Sequence, residues 1–311
     1  MAKENLAAID LGTNSCRIIV ADRNGHTLYR DSISTKLGEG MHANMRFTDE
    51  AITRGLDAFS EYANILKKYD VKKYRAIATA SCRMASNGSE FIKKVEEKNG
   101  IKIETIDGYE EAILNLKGAI LNADKTAKYV LIYDLGGGST EITLATNEVE
   151  PKILHTISIP WGARNSAEAF DLRDYNEINK TKLHDEIFHY IAEFIKNSEF
   201  EKYKDSCTLI ATSSMPLRIA SMIFKDEKYD RIKNDGAILY CKDIDNEIDN
   251  VCKMDLHERE NSIYIGKNRA PIIIAGAIIF KCIYQSFGFD KLTASLKGAQ
   301  EAIIKELMNN G

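Results

Sequence analysis

The chain has 311 residues, 44% of them hydrophobic and 28% charged. That is about twice a typical domain of roughly 150 residues, so two lobes with cores of their own are expected, and disordered, collagen-like and coiled-coil classes are disfavoured. Forty-two Lys and Arg against 46 Asp and Glu leave a net charge of −4, which supplies no field for gripping a polyanion without specificity and argues against a nucleic-acid binder.

In chain order, Leu6 to Ile9 form a short apolar run, residues 12–15 interrupt it, and residues 17–22 resume it, which reads as strand, tight turn, strand. Residues 49–68 carry Ile52, Leu56, Phe59, Ala63 and Leu66 at helical spacing with Thr48 as N-cap. A strand at 75–80, a helix at 90–99 and a strand at 102–106 follow, an alternation that indicates an α/β sheet. The second half opens with YVLIYDLGGGSTEITLA, again strand, glycine turn, strand. Helices are expected at 180–198, 216–224, 243–254, 270–287 and 299–309, with strands at 208–211 and 292–294. The longest apolar stretch, residues 270–280, is too short to span a bilayer, which takes about 20 helical residues. The N-terminus lacks the apolar region of a secretion signal, so a cytoplasmic protein with no membrane partner is expected. Six scattered cysteines without CxxC pairs read as reduced structural thiols, and the six histidines, His42 among them, show no metal-ligand spacing.

The chemistry lies in an internal repeat. Asp10-Leu11-Gly12-Thr13-Asn14-Ser15-Cys16-Arg17 superimposes without a gap on Asp134-Leu135-Gly136-Gly137-Gly138-Ser139-Thr140-Glu141. A duplicated hairpin suggests a duplicated domain. Glycines let such a turn take positive φ and bring backbone N–H groups close to a ligand, and Ser15 and Ser139 add hydroxyl donors, so each loop suits phosphate. The Asp ending each first strand repels bare phosphate and is better cast as partner of a divalent ion or water. A glycine hairpin that merely stabilises a sheet is the competing reading of either copy alone.

On these residues the chain resembles the exopolyphosphatase and guanosine pentaphosphate phosphohydrolase family, within the actin-like, Hsp70-like and sugar-kinase superfamily. AAIDLGTNSCRIIVA resembles its first phosphate loop, YDLGGGSTEI the second, TASCRMA its arginine segment and GYEEA its glutamate segment. The resemblance implies an α/β fold of two ribonuclease-H-like (actin-like ATPase) lobes with an active-site cleft between them, residues 1–124 joined by the closing helix 299–311, and residues 125–298. It implies that Glu111 is the general base, that Arg83 contacts substrate phosphate, and that Gly12, Thr13, Asn14, Ser15, Gly136, Gly137, Gly138, Ser139 and Thr140 bind phosphate, with Arg17 a further candidate. Mg²⁺ would be held by Asp134 and Glu141, with Asp10 contributing from the other lobe. Without the resemblance, Glu110 and Glu111 are equally first-turn acids of a helix capped by Asp107, with Asp107 and Glu110 forming a capping box, and Arg83 is equally a surface ion pair. The run Lys67, Lys68, Lys72, Lys73 and Arg75 is a solvated helix end or a track for a phosphate chain.

The chain departs from the family pattern at four places, three of them in the second lobe. Ile113 follows the EEA unit where the family has arginine, residues 211–216 lack the expected glycine, Lys297 stands where arginine is common, and Pro271 replaces an acid after Arg269-Ala270. The expected activity is Mg²⁺-dependent removal of terminal phosphate from inorganic polyphosphate, with guanosine pentaphosphate as alternative substrate. A non-catalytic sensor, or a kinase or chaperone of the superfamily, are the competing classes. The length fits the short family form without an added helical domain, and a homodimer is compatible with the sequence.

Overall fold

A computed structural model describes residues 4–39 and 45–309, so His42 lies outside the described residues. Its first elements are β1 (Asn5–Leu11), β2 (Cys16–Ala21), β3 (Thr27–Ile33), α1 (Asp49–Lys68), β4 (Val71–Ala78), α2 (Ala80–Met84), α3 (Gly88–Asn99), β5 (Ile103–Thr105) and α4 (Gly108–Ala119). There follow β6 (Tyr129–Leu135), β7 (Thr140–Thr146), β8 (Ile153–Ile159), α5 (Ala163–Ala169), α6 (Glu177–Ser198), β9 (Cys207–Thr212) and α7 (Ser214–Ile223). The last are β10 (Ile238–Tyr240), α8 (Cys241–Lys253), α9 (Leu256–Asn261), α10 (Ile273–Phe287), β11 (Lys291–Ser295) and α11 (Ala299–Asn309).

The chain divides into two compact units, Met1–Gly118 with Gly298–Gly311, and Ala119–Lys297. The division falls before residue 124 because the segment after α4 bonds into the second unit. There Asn122 donates to Asp235 and to Ser295 (2.6 and 3.0 Å) and accepts from Lys297 (2.7 Å).

In the first unit the sheet order is β3-β2-β1-β4-β5, with β1, β2 and β3 antiparallel and β4 and β5 parallel to β1. Strand alternation sends Ala7, Ile9 and Leu11 to a core under α1 and α3, which includes Phe59, Tyr62 and Phe91. Leu6 and Ala8 point the other way, to a second core closed by Ala302, Ile303 and Ile304 of α11. Asp10 continues that second face at the strand's end. Thr48 caps α1 as expected, accepting the Ala51 N–H at 3.2 Å.

In the second unit the order is β8-β7-β6-β9-β11-β10, so strands equivalent to the first five recur in the same sequence, and β10 is added at the edge. Both sheets have the ribonuclease-H-like arrangement that the resemblance implies. One core, built from α5, α6, α7, α8 and α10, covers the face bearing Leu131, Tyr133 and Leu135. The short helices α2, α5 and α9 and the strands β3, β8 and β10 were not among the expected elements. Residues 270–272 are turn, and α10 begins at Ile273. No helix among the described residues is long and apolar enough to cross a membrane.

Candidate functional site

The two hairpin loops close identically. The Gly12 N–H donates to the Ser15 carbonyl (3.0 Å) and the Gly136 N–H to the Ser139 carbonyl (2.9 Å). These two glycines therefore shut the turn and do not offer their N–H groups outward. In the first loop, the carbonyls of Thr13 and Asn14 accept from the N–H groups of Gly38 and Lys36 (2.9 and 3.0 Å). C=O and N–H of a trans peptide point in opposite directions, so the N–H groups of Asn14 and Ser15 are turned away from that segment. Among the described residues, the N–H groups of Thr13, Asn14 and Ser15 have no acceptor. Arg54 holds the backing segment, donating to the carbonyls of Thr35 (2.8 Å) and Lys36 (3.2 Å).

In the second loop, the carbonyl of Gly136 accepts from Ala163 (3.0 Å), that of Gly137 from Arg164 and Asn165 (2.8 and 3.2 Å), and that of Gly138 from the Asn165 side chain (2.9 Å). The N–H groups of Gly137, Gly138 and Ser139 thus face the opposite way, and among the described residues none has an acceptor. Positive φ is not how these glycines act, for none of Gly12, Gly136, Gly137 and Gly138 is in the left-handed region. Close approach is the reason instead. A Cβ on the overlying Gly162 would stand 2.6 Å from Gly137 C and Gly138 N, whereas one on Gly138 would meet no protein atom within 4 Å, leaving its N–H approachable.

Two expected phosphate ligands change role. Thr140 is fully buried and its hydroxyl donates to the Trp161 carbonyl (2.7 Å), so it leaves the phosphate-binding set. The Ser139 hydroxyl donates to Glu141 (2.6 Å), so the outward donor of this residue is its N–H.

Beside the first loop, Asp10 faces Arg17 across the β1–β2 ladder. Burial raises the Asp10 carboxyl above its ordinary value, Arg17 opposes this, and the negative charge of Glu301 adds to it. Glu301 is itself held by Arg30 and by the Gly298 N–H (2.9 Å).

The Thr79 N–H donates to the Leu11 carbonyl (3.2 Å), joining the arginine segment to the end of β1. From α2, the Arg83 guanidinium donates to the Ile106 carbonyl and lies 3.4 Å from a Glu111 oxygen, with these two side chains 29% and 31% exposed. Glu111 also interacts with Thr79 and senses Asp10. Burial raises its carboxyl above the usual glutamate value, and Arg83 counters only part of this. Glu110 goes elsewhere. Its N–H donates to Asp107 (2.8 Å), but its carboxylate meets Arg75 at 2.5 Å, so the reciprocal arm of the capping box does not form. Arg75 also binds Glu104 and Glu306, Lys72 pairs with Asp70, and Lys73 with Glu4. Arg75 is therefore committed to carboxylates of three other segments, whereas Lys72 and Lys73 make solvent-exposed pairs.

In the second unit, Asp134 and Glu141 are direct cross-strand neighbours with Asp134 exposed. Glu141 accepts from both Ser139 and Ser158 (2.6 and 3.0 Å). Among the described residues no group of three His, Cys, Asp or Glu could hold a metal. Two adjacent carboxylates still fit Mg²⁺, which commonly binds through one or two of them plus water and substrate phosphate. Burial pushes the thiols of Cys82, Cys207 and Cys241 up to about 12, and those of Cys252 and Cys282 up to about 11, as expected of structural cysteines.

Sequence reasoning missed a small, open hollow in the second unit, lined by Ser213, Ser214, Arg218 and Arg269 with apolar neighbours. Arg218 lies 4.0 Å over the Tyr229 ring, and its buried Nε has no hydrogen-bond partner among the described residues. Burial, together with the like charge of Arg269, holds its pKa below the usual arginine value. This is the glycine-poor 211–216 segment, where Ser213 takes φ 76° and its hydroxyl donates to the Leu135 carbonyl (2.9 Å). Arg269 was visible in the sequence, but its convergence with Arg218 depends on tertiary placement.

The chain is 34% identical over 310 residues to the bifunctional 3-dehydroquinate synthase/phosphatase of Fusobacterium nucleatum, covering 93% of this chain and 44% of that protein. It is 35% identical over 161 residues to exopolyphosphatase 2 of Mycobacterium tuberculosis, covering 48% of this chain and 50% of that protein. The chain thus spans about half the length of the curated relatives it matches. Among solved structures, two Ppx/GppA structures from Aquifex aeolicus match with TM-scores of 0.81 and 0.83 at 22% and 24% identity, covering 100% and 98% of this chain and 99% of each of those. At such identities the likeness establishes the fold. The model of the Ppx/GppA phosphatase family matches residues 18–310, and the chain belongs to that family.

Proposed function

We propose that the protein is an exopolyphosphatase that removes the terminal phosphate of inorganic polyphosphate with Mg²⁺. The observation that carries this reading is the placement of Glu111, half-buried beside Arg83 and within the field of Asp10, in the unit whose first loop turns free N–H groups outward. Glu111 takes a proton from the water that attacks the terminal phosphorus in line. Arg83 and the outward N–H groups of Asn14 and Ser15 stabilise the phosphoryl oxygens, and Gly137, Gly138 and Ser139 offer the same donors in the second unit. Bound to Asp134 and Glu141, Mg²⁺ would neutralise phosphate charge. Phosphoryl transfer asks for positioning and electrostatics more than covalent chemistry, and each of these groups offers one or the other.

The test is phosphate release from long polyphosphate, tripolyphosphate, guanosine pentaphosphate and ATP, each with Mg²⁺. Long polyphosphate is expected to be preferred, and Glu111→Gln to lose at least about 100-fold in turnover, the low end of what a general base contributes. Preference for guanosine pentaphosphate would reassign the substrate. Absence of release from all four, or full activity in Glu111→Gln, would remove the mechanism.

A further inference from the structure

We propose that Asn165 is a positioning residue for the second phosphate loop, an inference that rests on the phosphohydrolase reading. The two loops present N–H groups outward by different means. In the first, backbone donors at Lys36 and Gly38 hold the carbonyls. In the second, the third peptide is held by a side chain. The Asn165 Nδ2 donates to the carbonyls of Gly138 and Pro160, each at 2.9 Å, while Oδ1 accepts the Gly162 N–H at 2.8 Å. Its backbone N–H also reaches the Gly137 carbonyl at 3.2 Å.

A planar amide with one acceptor and two donors meets all three side-chain demands at once, which neither a carboxylate nor a hydroxyl does. Two consequences follow. Holding the Gly138 carbonyl fixes the Gly138–Ser139 peptide plane, and with it the outward direction of the Ser139 N–H. Holding the Gly162 N–H keeps that glycine against the backbone of Gly137 and Gly138, where no Cβ would fit. The first N–H groups of α5 are spent on the loop carbonyls. The phosphate ligands are therefore the loop's own N–H groups, and Asn165 acts through them.

Asn165→Asp and Asn165→Ala separate this role from simple helix capping. Aspartate retains the acceptor for Gly162, and an acid in the first turn of α5 suits the helix dipole, but it loses both amide donors. Polyphosphate turnover, tripolyphosphate affinity by calorimetry and melting temperature are measured for each variant beside the wild type. For both variants KM is expected to rise at least about tenfold with kcat within about threefold, and tripolyphosphate affinity to fall in parallel, the pattern of lost ground-state binding. Aspartate sets an acceptor oxygen against the carbonyls of Gly138 and Pro160 and should melt below the wild type while still folding, so its binding is decisive if the alanine variant does not fold. Wild-type affinity in Asn165→Asp would reduce Asn165 to a cap and overturn the proposal. Weak binding in Asn165→Asp with wild-type binding in a folded Asn165→Ala would assign the effect to added charge and overturn it equally. If wild-type protein neither hydrolyses nor binds these phosphates, the phosphohydrolase reading fails and this one with it, whereas an active wild type with unaltered variants removes only Asn165.

Discussion

Glu110 and Glu111 are adjacent acids of one helical turn, yet the fold gives them opposite tasks. Glu110 neutralises Arg75, whereas Glu111 is kept half-buried with Arg83 as its one close cation among the described residues. Glu110→Gln should therefore leave turnover near wild type and lower stability by about 1 kcal/mol, the upper end for surface pairs, since this pair is partly buried. For Glu111 the pH dependence has a definite sign. Its folded-state pKa is raised, first by burial, so the base form appears only above the ordinary glutamate value, and turnover should rise with pH through that raised value. Arg83 lowers this pKa, so the acid limb measured on the residual activity of Arg83→Gln should move to higher pH. The same shift costs stability. The folded state holds the proton more tightly than the unfolded state, so stability falls as pH rises from the unfolded to the folded pKa and stays reduced above it. Glu111→Gln should accordingly melt higher than the wild type at neutral pH and lose that advantage in acid. A melting temperature unaffected by the substitution at both pH values would mean that Glu111 is not strained by burial. The segment DGYEEA sets Glu110 apart as the capping-box partner and leaves Glu111 free, but the pairing of Glu110 with Arg75 was not legible, because it depends on where β4 lies relative to α4.

The elements carrying the phosphate loops were legible because their central strands are continuous apolar runs interrupted by glycine. Long amphipathic helices such as α1 and α6 were legible for the same reason, their apolar spacing being sustained over many turns. Strands β3 and β8 were not, since they lie at sheet edges, where partial exposure replaces the apolar run with residues such as Arg30, Asp31, His155 and Thr156. Missing β8 and α5 also hid what backs the second loop. That backing gives paired expectations for two glycines. In Gly162→Ala the new Cβ would meet loop backbone at 2.6 to 2.7 Å, so the loop must move, lowering both melting temperature and phosphate affinity. In Gly138→Ala the protein offers open space, so melting should hardly change while phosphate affinity falls because the methyl group crowds the outward N–H groups. Equal affinity in Gly138→Ala and wild type, by titration with tripolyphosphate, would remove this loop from the binding surface.

At the scale of the whole molecule, the duplication extends beyond the hairpin. Cys16 pairs with Ile33 in the first sheet and Thr140 with Ile159 in the second, an offset of 159 − 33 = 126 against 134 − 10 = 124 at the loops. The second copy has thus gained two residues between its second and third strands, where the repeat ceases to be visible by eye. The units also differ in how they close. The second is covered by helices of its own segment, but the first needs α11 from the far end of the chain, whose Ala302, Ile303 and Ile304 complete a core with Leu6, Ala8 and Ile19. Ile303 is wholly buried, so Ile303→Ala should cost about 2–5 kcal/mol. The chain's single tryptophan, Trp161, belongs to the second unit and packs on Phe170 at 5.0 Å, which makes its fluorescence a reporter for that unit, while far-ultraviolet circular dichroism reports both. In urea, Ile303→Ala should move part of the dichroism transition to lower denaturant and leave the tryptophan transition in place. Coincident shifts of both signals would mean that the two units unfold as one cooperative body and that α11 stabilises the whole chain.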